Sequence, residues 1–280
     1  MSSKKTGSAA PSEALETRPQ EQSLEVYDYG EDVGGGREDR GQADRLVPFV
    51  TVLQSNSPQV TGEMAGAKPG ALFNTATEQI YDGKDGIEFV PAMTQHLFVE
   101  WRPRDAGGGF IATHKPDSDV VRAAKAASKT FGEYFTPEGN ELVETFYIYA
   151  VRVEDGQPYE PIVIGCSSTK IRPYKKWTSQ FDMLTVPAPG GRKQVPPLWA
   201  YHSRLTTHKV EKQGNVWHNV DVAPATGKPI TSLLPPGHPC MVAAKAVREA
   251  VMSGAMKADH SREEQTSGGG AGDQGGFTHF

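Results

Sequence analysis

The chain is poor in chemical staples and reactive centres. It has 280 residues and only two cysteines, Cys166 and Cys240. Two are too few for a disulfide framework and fit a reducing, cytoplasmic compartment. No apolar run reaches the ~18 residues that a membrane-crossing helix needs. The start, Met1 to Gly7, carries Lys4 and Lys5 with no apolar stretch behind them, unlike a secretory signal. There is no Gly-x-Ser-x-Gly and no phosphate-binding loop. Ala225-Thr226-Gly227-Lys228 lacks the upstream glycine such a loop requires. The eight histidines are scattered, without zinc-type spacing, so neither a metal nor another cofactor is expected. Paired acids such as Glu154-Asp155 look like turn residues. These absences point to binding, not catalysis.

Net positive charge is missing as well. The formal net charge is -5, yet the charges are segregated. Residues 1–44 hold 5 Lys/Arg against 10 Asp/Glu. Residues 165–217 hold 9 Lys/Arg (Lys170, Arg172, Lys175, Lys176, Arg192, Lys193, Arg204, Lys209, Lys212) against Asp182 and Glu211, which is +7 in one block. A basic block in an acidic chain predicts a localised anion site.

Hydrophobic residues make up 37%, and there are 30 glycines and 21 prolines, which suggests a folded core with loose ends. Residues 1–44, rich in Ser, Gly, Glu, Gln and Asp, are expected to be a disordered acidic tail. Residues 258–280 are expected to be a flexible Gly-rich tail ending in Phe277 and Phe280. Between them, 45–257 reads as a single domain. A first strand or a short helix is expected over 46–53, short β segments over 71–74 and 86–92, and a hairpin with a mobile tip over 96–114, where Leu97, Val99 and Trp101 alternate with His96, Phe98 and Glu100. Asp117-Ser118-Asp119 caps a helix over 120–129. Strands follow at 142–153 and 160–166, a hairpin at 210–222 turning at Gln213-Gly214-Asn215, and an amphipathic helix over 239–257. Many short strands with two short helices give a mostly-β or α+β fold, read as an OB-like Greek-key barrel with long hairpins.

Within the basic block, Lys170, Arg172, Tyr174, Lys175, Lys176 and Trp177 interleave cations with rings. Cations attract phosphates and rings stack on unpaired bases, the two halves of single-stranded nucleic-acid binding. Pro173 argues against a central strand there, so these residues are expected at a strand end and in the next loop. Tyr201, Arg204 and Lys209 repeat the mixture, and Trp101, Arg102, Arg104, Phe110 and Lys115 on the 96–114 hairpin offer an opposite wall. Stacking does not register the sugar's 2′-hydroxyl, so RNA fits the same chemistry. The other class kept open is a structural or interaction protein without a nucleic-acid-binding role.

The segments starting Leu46-Val47-Pro48-Phe49, Phe98-Val99-Glu100-Trp101, Ser168-Thr169-Lys170-Ile171 and Arg204-Leu205-Thr206-Thr207 resemble proteins encoded in tailed-phage genomes, over most of residues 46–220. Such proteins include OB-fold single-stranded DNA-binding proteins of the replication module and a related uncharacterised family. The resemblance implies non-sequence-specific single-stranded DNA binding in phage DNA replication or recombination, in the host cytoplasm. It also implies docking of replication or recombination proteins through Phe277 and Phe280. The acidic run that usually precedes such a terminal Phe is missing, with only Asp273 in the last 13 residues.

Overall fold

The computed structural model describes residues 46–258 and 260. The chain opens with β1 (Leu46–Val47), β2 (Val50–Val52), α1 (Pro58–Thr61), β3 (Leu72–Asn74) and β4 (Ile80–Tyr81). The centre is built from β5 (Ile87–Trp101), β6 (Phe110–His114), α2 (Asp119–Ala127), β7 (Glu141–Glu154) and β8 (Gln157–Ser167). Then follow α3 (Ile171–Asp182), the short pair β9 (Val186–Pro187) and β10 (Lys193–Gln194), β11 (Ser203–Lys212), β12 (Asn215–Pro224), α4 (Pro239–Met252) and β13 (Lys257–Ala258).

The main sheet runs β12–β11–β5–β7–β8, every neighbouring pair antiparallel, with β6 added along the second half of β5. The fold is mostly β with helices, as expected. The expected barrel is not observed, because the strand path stays open. The reason is visible in β7, where Tyr147 through Val153 are all buried. A barrel strand of this type alternates inside and outside. A strand buried throughout lies in a sheet covered on both faces.

One face packs Phe89, Ile148, Ala150, Ile162 and Ile164 against Tyr174, Trp177 and Phe181 of α3. The other packs Val90, Ala92, Tyr147, Tyr149 and Val151 against Cys240, Ala244 and Val247 of α4. A bulge between Pro91 and Met93 shifts the register of β5 on β7. Proline has no N–H for the ladder, so it is tolerated beside such an irregularity. The shift changes the parity of β5. Phe89 before it and Phe98 after it both face the α3 side, although nine positions separate them.

On the α3 side the rings form a continuous series. His96 stacks on Phe146 at 4.1 Å and Phe146 on Tyr174 at 4.7 Å. Trp177 contacts Phe181 at 5.2 Å, and Phe181 stacks on Tyr201 at 3.9 Å. Trp177 is completely buried, and its indole N–H donates to Ser203 Oγ at 3.1 Å.

β2, β3 and β4 form a separate antiparallel sheet whose Val50, Val52 and Leu72 join the same core. Arg152 of β7 locks this sheet in place. Its side chain is 6% exposed; Nε donates to Glu160 at 2.9 Å and a terminal nitrogen to Glu154 at 3.1 Å. The guanidinium lies against Tyr81 and Tyr159, 5.2 and 4.1 Å from their ring centres. Glu160 also accepts from Asn74 and from the Tyr81 hydroxyl. Burial pushes the Tyr81 hydroxyl up to about 12, partly opposed by Arg152.

Both outer strands of the main path, β12 and β8, are met by the N-terminal segment. On β12, His218 N–H donates to the Gln54 side-chain oxygen, and the Gln54 amide donates back to His218 O, both at 2.8 Å. On β8, Val163 N–H donates to Pro48 O at 2.8 Å.

Two substitutions test this core. Trp177→Ala is expected to cost about 3–5 kcal/mol in urea unfolding, as large aromatic truncations do. Glu160→Ala is expected to cost about 3 kcal/mol, because Arg152 keeps only the more exposed Glu154. A change below about 0.5 kcal/mol in either variant contradicts the assigned packing.

Candidate nucleic-acid interface

α3 is the centre of the basic block. Tyr174, Trp177 and Phe181 recur at i, i+3 and i+7, which places all three on one side of a helix. Pro173 falls in the first turn, where a missing N–H costs nothing. With the rings turned inward, Arg172, Lys175 and Lys176 are exposed and Lys170 is half-buried. Among the described residues, none of these four has a carboxylate within ion-pair distance. The first turn has no acidic residue and no side-chain cap. Cations at the positive end of a helix cost about 0.3–1 kcal/mol each when nothing compensates them. A bound anion relieves that repulsion.

The rest of the +7 block divides in two. Arg204 is neutralised by Glu88 at 2.5 Å, and Lys209 lies 3.8 Å from Glu211. Arg192 and Lys193, beside and on β10, are exposed, as is Lys212; none of the three has an ion-pair partner among the described residues.

Three of the expected ring contacts are corrected. Tyr174 is 7% exposed, Trp177 0% and Tyr201 1%, so none of them has a face open to a base. They are core residues of an amphipathic helix and its neighbour, not loop residues. The i, i+3, i+7 spacing carried this signal in the sequence. The expected opposite wall is corrected too. Trp101 and Phe110, half-buried and in edge contact at 5.8 Å, belong to the α4 side of the sheet, while α3 covers the other. Arg102 and Lys115 are exposed; the Arg104 side chain, Phe277 and Phe280 lie outside the described residues. The three segments therefore do not line one groove.

The structure instead adds residues that the sequence reading passed over. Beside α3, the half-buried His96 and Phe146 border the Tyr174 stack. Lys175 Nζ sits 5.4 Å from the Phe146 ring centre, and Lys125 Nζ of α2 sits 4.4 Å from that of Phe98. His96 pairs with Glu144 at 2.9 Å. Glu100 is held by His114 and by the Asn140 amide, each at 2.7 Å. Only cross-strand geometry brings these groups together. Among the described residues no cluster of His, Cys, Asp and Glu is arranged to hold a metal, and Cys166 and Cys240 are buried.

At the other end of β5, His202 Nε2 lies 3.0 Å from Glu88 Oε2, which also holds Arg204. Burial lowers the pKa of His202; Glu88 opposes the shift, while Arg204 and His238 reinforce it. The folded state thus prefers the neutral ring. The unfolded chain takes up the proton near pH 6.5, so this contribution is complete above that pH and is lost as pH falls below it. The urea midpoint of the wild type is expected to drop between about pH 6.5 and 5 more than that of His202→Gln. Equal drops contradict the assignment.

No helix among the described residues is long and apolar enough to cross a membrane. No curated protein and no solved structure matches the chain. A family model described as Pam3 phage gp34-like protein matches residues 17–257. The chain, with its two-faced sheet and outward cationic helix, belongs to this bacteriophage protein family.

Proposed function

We propose that the protein binds single-stranded DNA without sequence preference, by phosphate contacts along the outer face of α3. The observation that carries this reading is the set Lys170, Arg172, Lys175 and Lys176, one cation at the N-cap of α3 and three on the helix, with no carboxylate partner among the described residues. The half-buried rings of His96 and Phe146 beside Lys175 favour an unpaired strand over a duplex. Bases of a single strand are free to lie against ring edges; paired bases are not. The role is one of binding rather than chemistry, in phage DNA replication or recombination within the host cytoplasm. Contacts with replication proteins through Phe277 and Phe280 belong to the same proposal.

The test is a titration of the full chain with labelled oligo-dT, oligo-U and duplex DNA at several salt concentrations. Neutralising four phosphates of a single strand gives a log–log salt slope of about -3. Lys175→Ala with Lys176→Ala is expected to make the slope shallower by about 1.4 and to leave unfolding within about 0.5 kcal/mol of wild type. Absence of salt-dependent binding to all three ligands overturns the reading and favours a virion or host-interaction role. Stronger binding to oligo-U than to oligo-dT reassigns the ligand to RNA.

A further inference from the structure

The β9–β10 ribbon, between α3 and β11, has no packing explanation. β9 and β10 pair only with each other, Lys193 opposite Pro187 and Gln194 opposite Val186, and join no other sheet. The turn is closed by Ala188 N–H donating to Arg192 O at 2.8 Å. Residues 189–195 are exposed without interruption. A two-stranded ribbon alone is marginal in water, and this one contributes no residue to any core cluster.

Its composition is nonetheless specific. Pro187 and Pro189 stiffen the outgoing limb, and Pro196 and Pro197 the returning one. Proline restricts the unfolded chain, so a proline-flanked ribbon loses less entropy when it is held out into solvent. At the tip, Gly190 and Gly191 have φ of 77° and 75°. Both adopt the left-handed backbone that glycine takes without steric cost. A Cβ built on either would meet nothing within 4 Å, so the backbone there lies open to a ligand. Arg192 and Lys193 follow at once. Neither has a carboxylate within ion-pair distance among the described residues, and no acid occurs from Met183 to Pro197.

An exposed ribbon with a stiff stem, an open glycine backbone and two unpartnered cations suits a phosphodiester. The guanidinium offers paired donors to phosphate oxygens and the ammonium a compact charge. The ribbon leaves the C-terminal end of α3, whereas the four cations lie toward its N-terminal end. At 1.5 Å per residue, the 12 residues of α3 span about 18 Å, a length of several nucleotides.

We infer that the β9–β10 ribbon is a second phosphate-contacting element, a cationic finger that engages the same single strand beyond the end of α3. This rests on the reading of α3 as the phosphate-binding face. Binding orders the ribbon, and the strand is held at two separated places instead of one.

The experiment combines Arg192→Ala with Lys193→Ala in the full chain. Both side chains are exposed and unpaired, so the thermal midpoint is expected to stay at the wild-type value. With oligo-dT the salt slope becomes shallower by about 1.4, the share of two phosphates on a single strand. In the wild type, saturating oligo-dT slows tryptic cleavage after Arg192 and Lys193, read by mass spectrometry of the first fragments, at least tenfold. A slope unchanged by the ribbon variant but reduced by the Lys175/Lys176 variant overturns the finger and leaves α3 standing. Undiminished cleavage under saturation overturns it as well. A wild type that binds no oligonucleotide removes the α3 reading itself.

Discussion

The fold depends on burying both faces of one antiparallel sheet. β7 has no wet side along its centre, so each face requires a cover. α4 supplies one with Cys240, Ala244 and Val247, and α3 the other with Tyr174, Trp177 and Phe181. Trp177 bears most of this constraint. It is fully enclosed and hydrogen-bonded to Ser203, and it touches Phe89, Tyr174 and Phe181. Once one face of α3 is committed to the core, the remaining face is all that its cations can occupy. The electrostatic character of the surface is thus a by-product of where the rings must go.

The same logic governs charge elsewhere. Arg152 is drawn deep by the need to pin the small β2–β3–β4 sheet, and it is paired, hydrogen-bonded and set against two tyrosine rings. Arg204 at the surface of β11 is matched by Glu88. Arg152 and Arg204 are thus matched by acids, whereas the cations of α3 and of the β9–β10 ribbon have no carboxylate within ion-pair distance among the described residues.

Much of the fold was legible in the chain. The run from Val143 to Val153, the capping Ser118 and the Gln213-Gly214 turn carry local chemistry that tertiary packing did not override. α3 was misread because Pro173 and the dense charge look like a loop. The spacing of Tyr174, Trp177 and Phe181 was the stronger indicator, since hydrophobic period outranks a proline confined to a first turn. The candidate site was legible only in its charge. That Lys125 approaches Phe98, or that Trp101 belongs to the opposite face from α3, follows from the bulge at Pro91–Met93 and the strand register, which no local pattern encodes. The two-layer cover also explains the missing barrel: the same short-strand signals serve a sheet that closes on itself and one clad in helices.

Gln54 gives the sheet a property of its own. A β-sheet edge behaves like the growing end of a polymer, since each exposed N–H and C=O is a place for the next strand to add. The carboxamide of Gln54 presents an N–H and a C=O side by side, as a residue of a neighbouring strand does, and the two meet the C=O and N–H of His218. It acts as a chain stopper: one side chain imitates the first link of a further strand and so prevents that strand from adding there.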